Sequence, residues 1–210
     1  MLAPETARRF PVRLLESGPA AGMLMAAVQG RALDLPDILS FDLGGTTAKG
    51  ALVRGFAPLK TEQMEVARVH EFRRGSGLPL RIPVLDMIEI GSGGGSIAAV
   101  DDRGLLKVGP RSAGAVPGPA CYKQGGENAA LSDANLVLGY LDPDFFLGGE
   151  MPLDRDAAKT VIEETVAKPL DLSVERAAWG IHDTASEDIA RAFRIHAAER
   201  GFDYRGASMV

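Results

Sequence analysis

The chain has 210 residues, 46% of them apolar and 24% charged, the composition of a globular protein with enough chain for one domain or two small ones. Lys plus Arg total 23 against 28 for Asp plus Glu, a net charge of −5 with no basic block, so nucleic-acid binding is not expected. The single cysteine, Cys121, excludes an intrachain disulfide and suits a reducing cytoplasm, and no apolar run is long enough to span a membrane or to serve as a signal peptide.

Along the chain, Ser17-Gly18-Pro19 opens a run of small and apolar residues. It predicts a buried helix over 18–29, with Ser17 as its cap and Gly30 as its stop. Residues 38–42 read as a short buried strand, Gly44-Gly45 as a turn, and 46–54 as a second strand. Residues 81–90 read as one more strand, with Pro83 near its start. The runs 97–100 and 105–108 flank Asp101-Asp102-Arg103-Gly104 and predict a hairpin. Residues 109–126 are rich in Gly, Pro, Ala and Ser and are expected to form an ordered loop carrying Cys121 and Tyr122.

The last third predicts helices. Ser132 is the expected cap of 133–141 and Asp154 that of 155–168, with Ala158, Val161, Ile162 and Val166 on one face. Ser173 caps a long helix running to about Arg200, with Val174, Ala178, Ile181, Ala185, Ile189, Ala192 and Phe193 recurring near a 3.6-residue period and Gly201 as terminator. Residues 207–210 look like the start of a strand. The expectation is an α/β (α+β) chain in one domain segment, 1–210, with a glycine-loop and strand region over 1–130 and a helical region over 131–206.

Glycine supplies 25 of the 210 residues, about 12% against about 7% in average usage, and it is clustered. In Phe41-Asp42-Leu43-Gly44-Gly45-Thr46-Thr47 an aspartate ends a strand, two glycines expose backbone, and two hydroxyls follow. Backbone amides and hydroxyls can hold phosphate oxygens, and a carboxylate at Asp42 can hold Mg²⁺ directly or through water. A hairpin turn that needs glycine for its backbone is the simpler alternative. The second cluster, Ile90-Gly91-Ser92-Gly93-Gly94-Gly95-Ser96, can form an anion-binding nest of amides or let two backbones pack closely. Neither cluster is a P-loop or a dinucleotide fingerprint in a strand-turn-helix setting.

Asp42-Leu43-Gly44-Gly45-Thr46-Thr47 resembles a phosphate motif of the sugar kinase, Hsp70 and actin superfamily. The wider string is similar to the hydantoinase A/oxoprolinase family. It comprises Ser17-Gly18-Pro19-Ala20-Ala21-Gly22, residues 41–47 and 91–98, Val108-Gly109-Pro110-Arg111-Ser112-Ala113-Gly114, residues 117–122, 133–139 and 146–150, in order. The resemblance implies a partial actin-like ATPase lobe, β-hairpins followed by helices, that uses ATP and Mg²⁺. It implies ATP-driven opening of cyclic amides such as hydantoins or 5-oxoproline, or carboxylation of ketones, together with a hydantoinase B-like second subunit. Thr47-Ala48-Lys49 and Met87-Ile88-Glu89-Ile90 look closer to the carboxylase branch. The assigned site residues are Asp42 for catalysis and metal, and Gly44, Gly45, Thr46, Thr47, Gly93, Gly94, Gly95 and Ser96 for nucleotide phosphates.

Family chains are longer and carry a further phosphate loop and a nucleoside-contacting glycine stretch that are not found here, so an internal segment, inactive by itself, is expected. A non-catalytic interaction lobe and a sugar-kinase-like phosphotransferase are the competing readings, and a homo-oligomer stays open. Cys121 is expected to be buried and inert. His70, His182 and His196 lack metal-ligand spacing. Asp86 and Glu89 fall on opposite strand faces, Lys49 points outward, Asp133 and Asn135 begin a helix, and Arg111 is an anion candidate.

Overall fold

The structure is a computed structural model and describes residues 3–66 and 75–210. His70 lies outside the described residues. In chain order the elements are α1 (Pro4–Arg9), α2 (Ser17–Ala32), β1 (Ile38–Leu43), β2 (Ala48–Arg54), β3 (Ala57–Pro58), β4 (Lys60–Thr61), β5 (Met64–Val66), β6 (Leu78–Leu80), β7 (Val84–Leu85), β8 (Met87–Ile90), β9 (Ser96–Val100) and β10 (Leu106–Ser112). Then come α3 (Leu131–Val137), α4 (Arg155–Ile162), α5 (Lys168–Leu170), α6 (Val174–Glu199) and β11 (Ser208–Met209). The chain forms two compact units that interleave along the sequence. Unit 1 holds Met1–Asp42, Lys49–Glu89 and Arg194–Val210, and unit 2 holds Leu43–Ala48 and Ile90–Phe193.

Unit 1 is built on a sheet in the order β11-β1-β2-β3, with β8 also pairing β2. β11 joins β1 in parallel, Ile38 opposite Ser208. Helix α2 covers the sheet through Met23, Ala26 and Ala27, which pack with Ile38, Ala51 and Val53. Gly30 lies inside α2 instead of ending it. A Cβ there would sit 2.5 Å from Ile38 Cδ1 and 2.8 Å from the Leu35 carbonyl oxygen, so glycine is what lets helix and strand approach. Contrary to the sequence expectation, α2 is buried along one face only, and Leu24, Met25 and Val28 on the other are exposed. Its N-cap is Glu16, held at φ 60°, and Ser17 is the first helical residue. The expected strand over 81–90 is split into β7 and β8.

The end of α6 is tied down within unit 1. Arg200 makes a two-point ion pair with Asp86, and Arg54 donates to the carbonyls of Arg200 and Gly201 at 3.0 Å each. Gly201, at φ 56°, ends the helix as its sequence position suggests.

Unit 2 buries the larger apolar cluster, drawn from α3, α4 and α6 with Ala98, Cys121 and Leu153. The β9-β10 hairpin forms where expected. Asp101 Oδ1 accepts from the amides of Arg103 and Leu105, and Gly104 takes φ 75°. Asp154 caps α4 by accepting from Asp156 N and Ala157 N. Ala158, Val161, Ile162 and Val166 are buried as the periodicity requires. Ser173 Oγ accepts from Arg176 N at the start of α6.

Candidate functional site

The two glycine clusters meet inside unit 2. The amide of Gly94 donates to Gly44 O at 3.0 Å, and that of Gly95 to Gly45 O at 2.6 Å. Gly93 lies so close to the first loop that a Cβ would stand 2.6 Å from the Thr46 carbonyl carbon, 2.7 Å from Thr46 N and 2.8 Å from Gly44 O. Gly93 N donates to Ser96 Oγ at 2.9 Å, and Ser96 N to Gly93 O at 2.9 Å. The amides of Gly93, Gly94, Gly95 and Ser96, read from the sequence as an anion nest, are thus all engaged within the protein. Of the two readings of this cluster, close backbone packing describes the geometry.

That packing orients the first loop. A trans peptide is planar, so its C=O and the following N–H point in opposite directions. With Gly44 O and Gly45 O turned toward the second loop, the N–H groups of Gly45 and Thr46 turn away from it. Among the described residues, the amides of Gly45, Thr46 and Thr47 and both threonine hydroxyls donate to no protein acceptor. Gly44, Gly45 and Thr46 are exposed, and the turn closes through Gly44 N to Thr47 O at 2.9 Å. The result is a short run of undonated N–H and O–H groups on a backbone fixed from behind, an arrangement suited to anion oxygens.

The second loop is itself anchored by α3. Ser132 N donates to Gly94 O at 2.7 Å. Ser132 is not the helix cap, because α3 begins one residue earlier, at Leu131, with Ala130 as its N-cap. Asp133, fully buried, reaches back instead: Oδ2 accepts from Ala130 N at 2.9 Å and from Ala120 N at 3.3 Å, and Oδ1 accepts from Cys121 N at 2.8 Å. Burial pushes its carboxyl above the usual range, against the pull of these amides.

Asp42 lies in unit 1, at the end of β1 and two residues before Gly44. It lines a small open recess with Pro19, Met23, Ser40, Lys49, Gly50, Ala51 and Met87. Its enclosed space, about 10 Å³, holds one water-sized group or an ion, not a nucleotide. The Asp42 carboxylate is exposed and has no hydrogen bond or ion pair among the described residues. No cluster of three or more His, Cys, Asp or Glu able to cage a metal occurs among them. A lone carboxylate with a hydroxyl nearby fits Mg²⁺, which commonly binds through one or two carboxylates plus phosphates and water.

Lys49 was expected to point outward. It is instead half-buried in the recess, paired with Glu16 and 3.6 Å from Glu89. Burial opposes its charge, and the hydrogen bond and field of Glu16 with the field of Glu89 outweigh it, so its pKa lies above the usual lysine value.

Of the remaining candidates, Cys121 and Asp86 are committed within the fold. Cys121 is fully buried, and burial, with Asp133 beside it, drives its thiol well above the ordinary range. Native protein is accordingly expected to leave Cys121 unmodified by a thiol-reactive disulfide reagent at about pH 8, with one thiol per chain appearing on denaturation. Rapid labelling of the native chain would contradict this. Asp86 is committed to Arg200. His182 Nδ1 contacts Asn135 Oδ1 at 2.9 Å and its ring lies 4.9 Å from Tyr140. His196 is 3% exposed, and Arg111 is exposed on β10.

A family model described as hydantoinase/oxoprolinase matches residues 1–210. An uncharacterised protein of Methanocaldococcus jannaschii is 43% identical over 198 residues, covering 93% of this chain and 29% of that protein. The caprolactamase alpha subunit of Pseudomonas jessenii is 37% identical over 203 residues, or 97% of this chain and 28% of that subunit. The crystal structure of the ATP-dependent caprolactamase from that organism matches with a TM-score of 0.77 over 92% of this chain and 27% of its own. The nucleotide-free structure of an ATP-dependent acetone carboxylase also gives 0.77, at 32% identity, over 92% of this chain and 26% of its own. The chain thus spans a little over a quarter of the length of these proteins. Its fold is the mixed α/β arrangement expected of an actin-like ATPase lobe. With a family match over residues 1–210 and relatives at these identities, the chain belongs to the hydantoinase/oxoprolinase family.

Proposed function

We propose that this chain supplies phosphate-binding elements to an ATP-dependent enzyme that opens cyclic amides of the hydantoin or 5-oxoproline type or carboxylates a ketone. Its 210 residues are one segment of that ATPase domain, and the segment by itself is inactive. The observation that carries this reading is the outward donor face of Gly45 and Thr46, created when Gly44 O and Gly45 O are held by Gly94 and Gly95, with the undonated Thr47 amide next in the chain. In this reading Gly45, Thr46 and Thr47 receive phosphate oxygens. Gly44 anchors the turn, and Gly93, Gly94, Gly95 and Ser96 form the rigid backing. Asp42 is the residue that would hold Mg²⁺, whose charge when bound neutralises the transferred phosphoryl group. The remaining gain comes from donors fixed in advance, which need no reorganisation as charge develops.

Relatives are named as alpha, beta and gamma subunits, which supports a partner subunit. A hydantoinase B-like chain in the cytoplasm is the partner proposed. A second reading, a non-catalytic interaction lobe, is favoured by one feature, the exposed Leu24, Met25 and Val28 face of α2.

The test is an amide-resolved NMR titration with Mg·ATP. Gly45, Thr46 and Thr47 are expected to shift first, and Gly93, Gly94 and Gly95, already bonded, much less. Asp42→Ala is expected to remove the Mg²⁺ dependence. Shifts confined to α2, or none, would transfer support to the interaction lobe.

A further inference from the structure

Asp42 and Lys49 sit on adjacent strands and line one recess, yet they do not pair. A lysine beside a carboxylate ordinarily collapses onto it, because the four-carbon stem is flexible and the attraction is a few kT at close range. In unit 1 the Lys49 ammonium is occupied instead by Glu16 and Glu89. The lysine side chain is 19% exposed, so it is held in the recess and not adrift in solvent. Glu16, its closer partner, stands in the left-handed region at φ 60°, where a residue with a Cβ is uncommon and costs free energy. That backbone cost is retained at the residue whose carboxylate takes the ammonium. Two carboxylates, Glu16 and Glu89, face the one ammonium, so the charge around Lys49 stays net negative. Such a field favours a cation and disfavours a bare anion.

We propose that Glu16 and Glu89 are positioning residues which hold Lys49 away from Asp42 and so keep the Asp42 carboxylate open to a divalent cation. This rests on the role assigned above to Asp42. It assigns Lys49 a function opposite to a phosphate contact: it is a competitor kept occupied. Freed from its two glutamates, the ammonium would neutralise Asp42 in the cation's place.

The experiment is calorimetric titration of Mg·ATP, and of ATP without Mg²⁺, into the full chain and four variants, with the melting temperature recorded for each. Glu16→Gln is expected to weaken Mg·ATP about tenfold, the scale of losing one well-placed charge contact. Lys49→Met alone is expected to retain or improve affinity. Glu16→Gln with Lys49→Met is expected to recover the wild-type value, a rescue that a merely structural role for Glu16 would not give. Unchanged affinity in Glu16→Gln, loss of affinity in Lys49→Met, or failure of the double variant to recover while it melts normally would each overturn the inference. If the wild type shows no Mg²⁺-dependent binding, or Asp42→Ala binds equally well, the reading of Asp42 has failed and this inference fails with it.

Discussion

Gly93→Ala is expected to lower the melting temperature by roughly 5–10 °C and to abolish phosphate binding at the first glycine loop. The added methyl would lie within 2.6–2.8 Å of three backbone atoms, in Gly44 and Thr46. These are not flexible side-chain ends that can swing aside. Either Gly93 withdraws, and the bonds from Gly94 and Gly95 to the first loop lengthen, or the first loop moves. Overpacking of this kind costs about 1–3 kcal/mol. The restriction at Gly93 is one of space, because its φ is not in the left-handed region. Gly45→Ala is the matched control. A Cβ there meets nothing within 4 Å and its φ is also ordinary, so stability is expected to change by less than about 0.5 kcal/mol. Differential scanning calorimetry separates the two. If Gly93→Ala melts with the wild type, the two loops are not held as tightly as their hydrogen bonds imply.

What the sequence made legible was whatever is decided within a few residues. The strand-turn-strand course around Gly44, the Asp101 turn, the caps at Asp154 and Ser173 and the stop at Gly201 all follow from local rules, and all are present. What it hid depends on partners far along the chain. Ser132 carries the right side chain for a cap, but the helix begins one residue before it, and Asp133 in the first turn does the capping by accepting from the Ala130 amide. Lys49 follows a polar turn and reads as outward, yet Glu16, 33 residues earlier, draws it in. Gly30 ends a run of small residues and reads as a stop, whereas its function is contact with Ile38. The second glycine cluster shows the limit most plainly. Its composition permits a nest or a close contact, and only the placement of Gly44 O and Gly45 O against its amides distinguishes them. A run of apolar residues predicts burial but does not say on how many sides, and α2 is buried on one face with Leu24, Met25 and Val28 exposed on the other.

Asp133→Ala is expected to be the most destabilising of the substitutions considered, by about 3–5 kcal/mol, because it strips the acceptor from three buried amides at once. Ala120, Cys121 and Ala130 each donate to this one carboxylate, and Asp133 itself is fully enclosed. Water has no open route to replace it, and an unsatisfied buried donor costs about 1–3 kcal/mol. The effect should reach the first glycine loop by a continuous chain of bonds within unit 2. Asp133 fixes the start of α3, Ser132 N holds Gly94 O, and Gly94 N and Gly95 N hold Gly44 O and Gly45 O. Loosening the first link should therefore speed hydrogen exchange at Ser132, Gly94 and Gly95, and should expose Cys121 to thiol reagents in the native chain. Asp133→Asn keeps one acceptor oxygen but sets an NH₂ against a donor, so an intermediate loss is expected. An Asp133→Ala protein that melts within a degree or two of wild type, with exchange unchanged at Gly94 and Gly95, would show that the loops are held by something other than this carboxylate. The expected outcome instead makes a buried aspartate responsible for the direction in which the amides of Gly45 and Thr46 face.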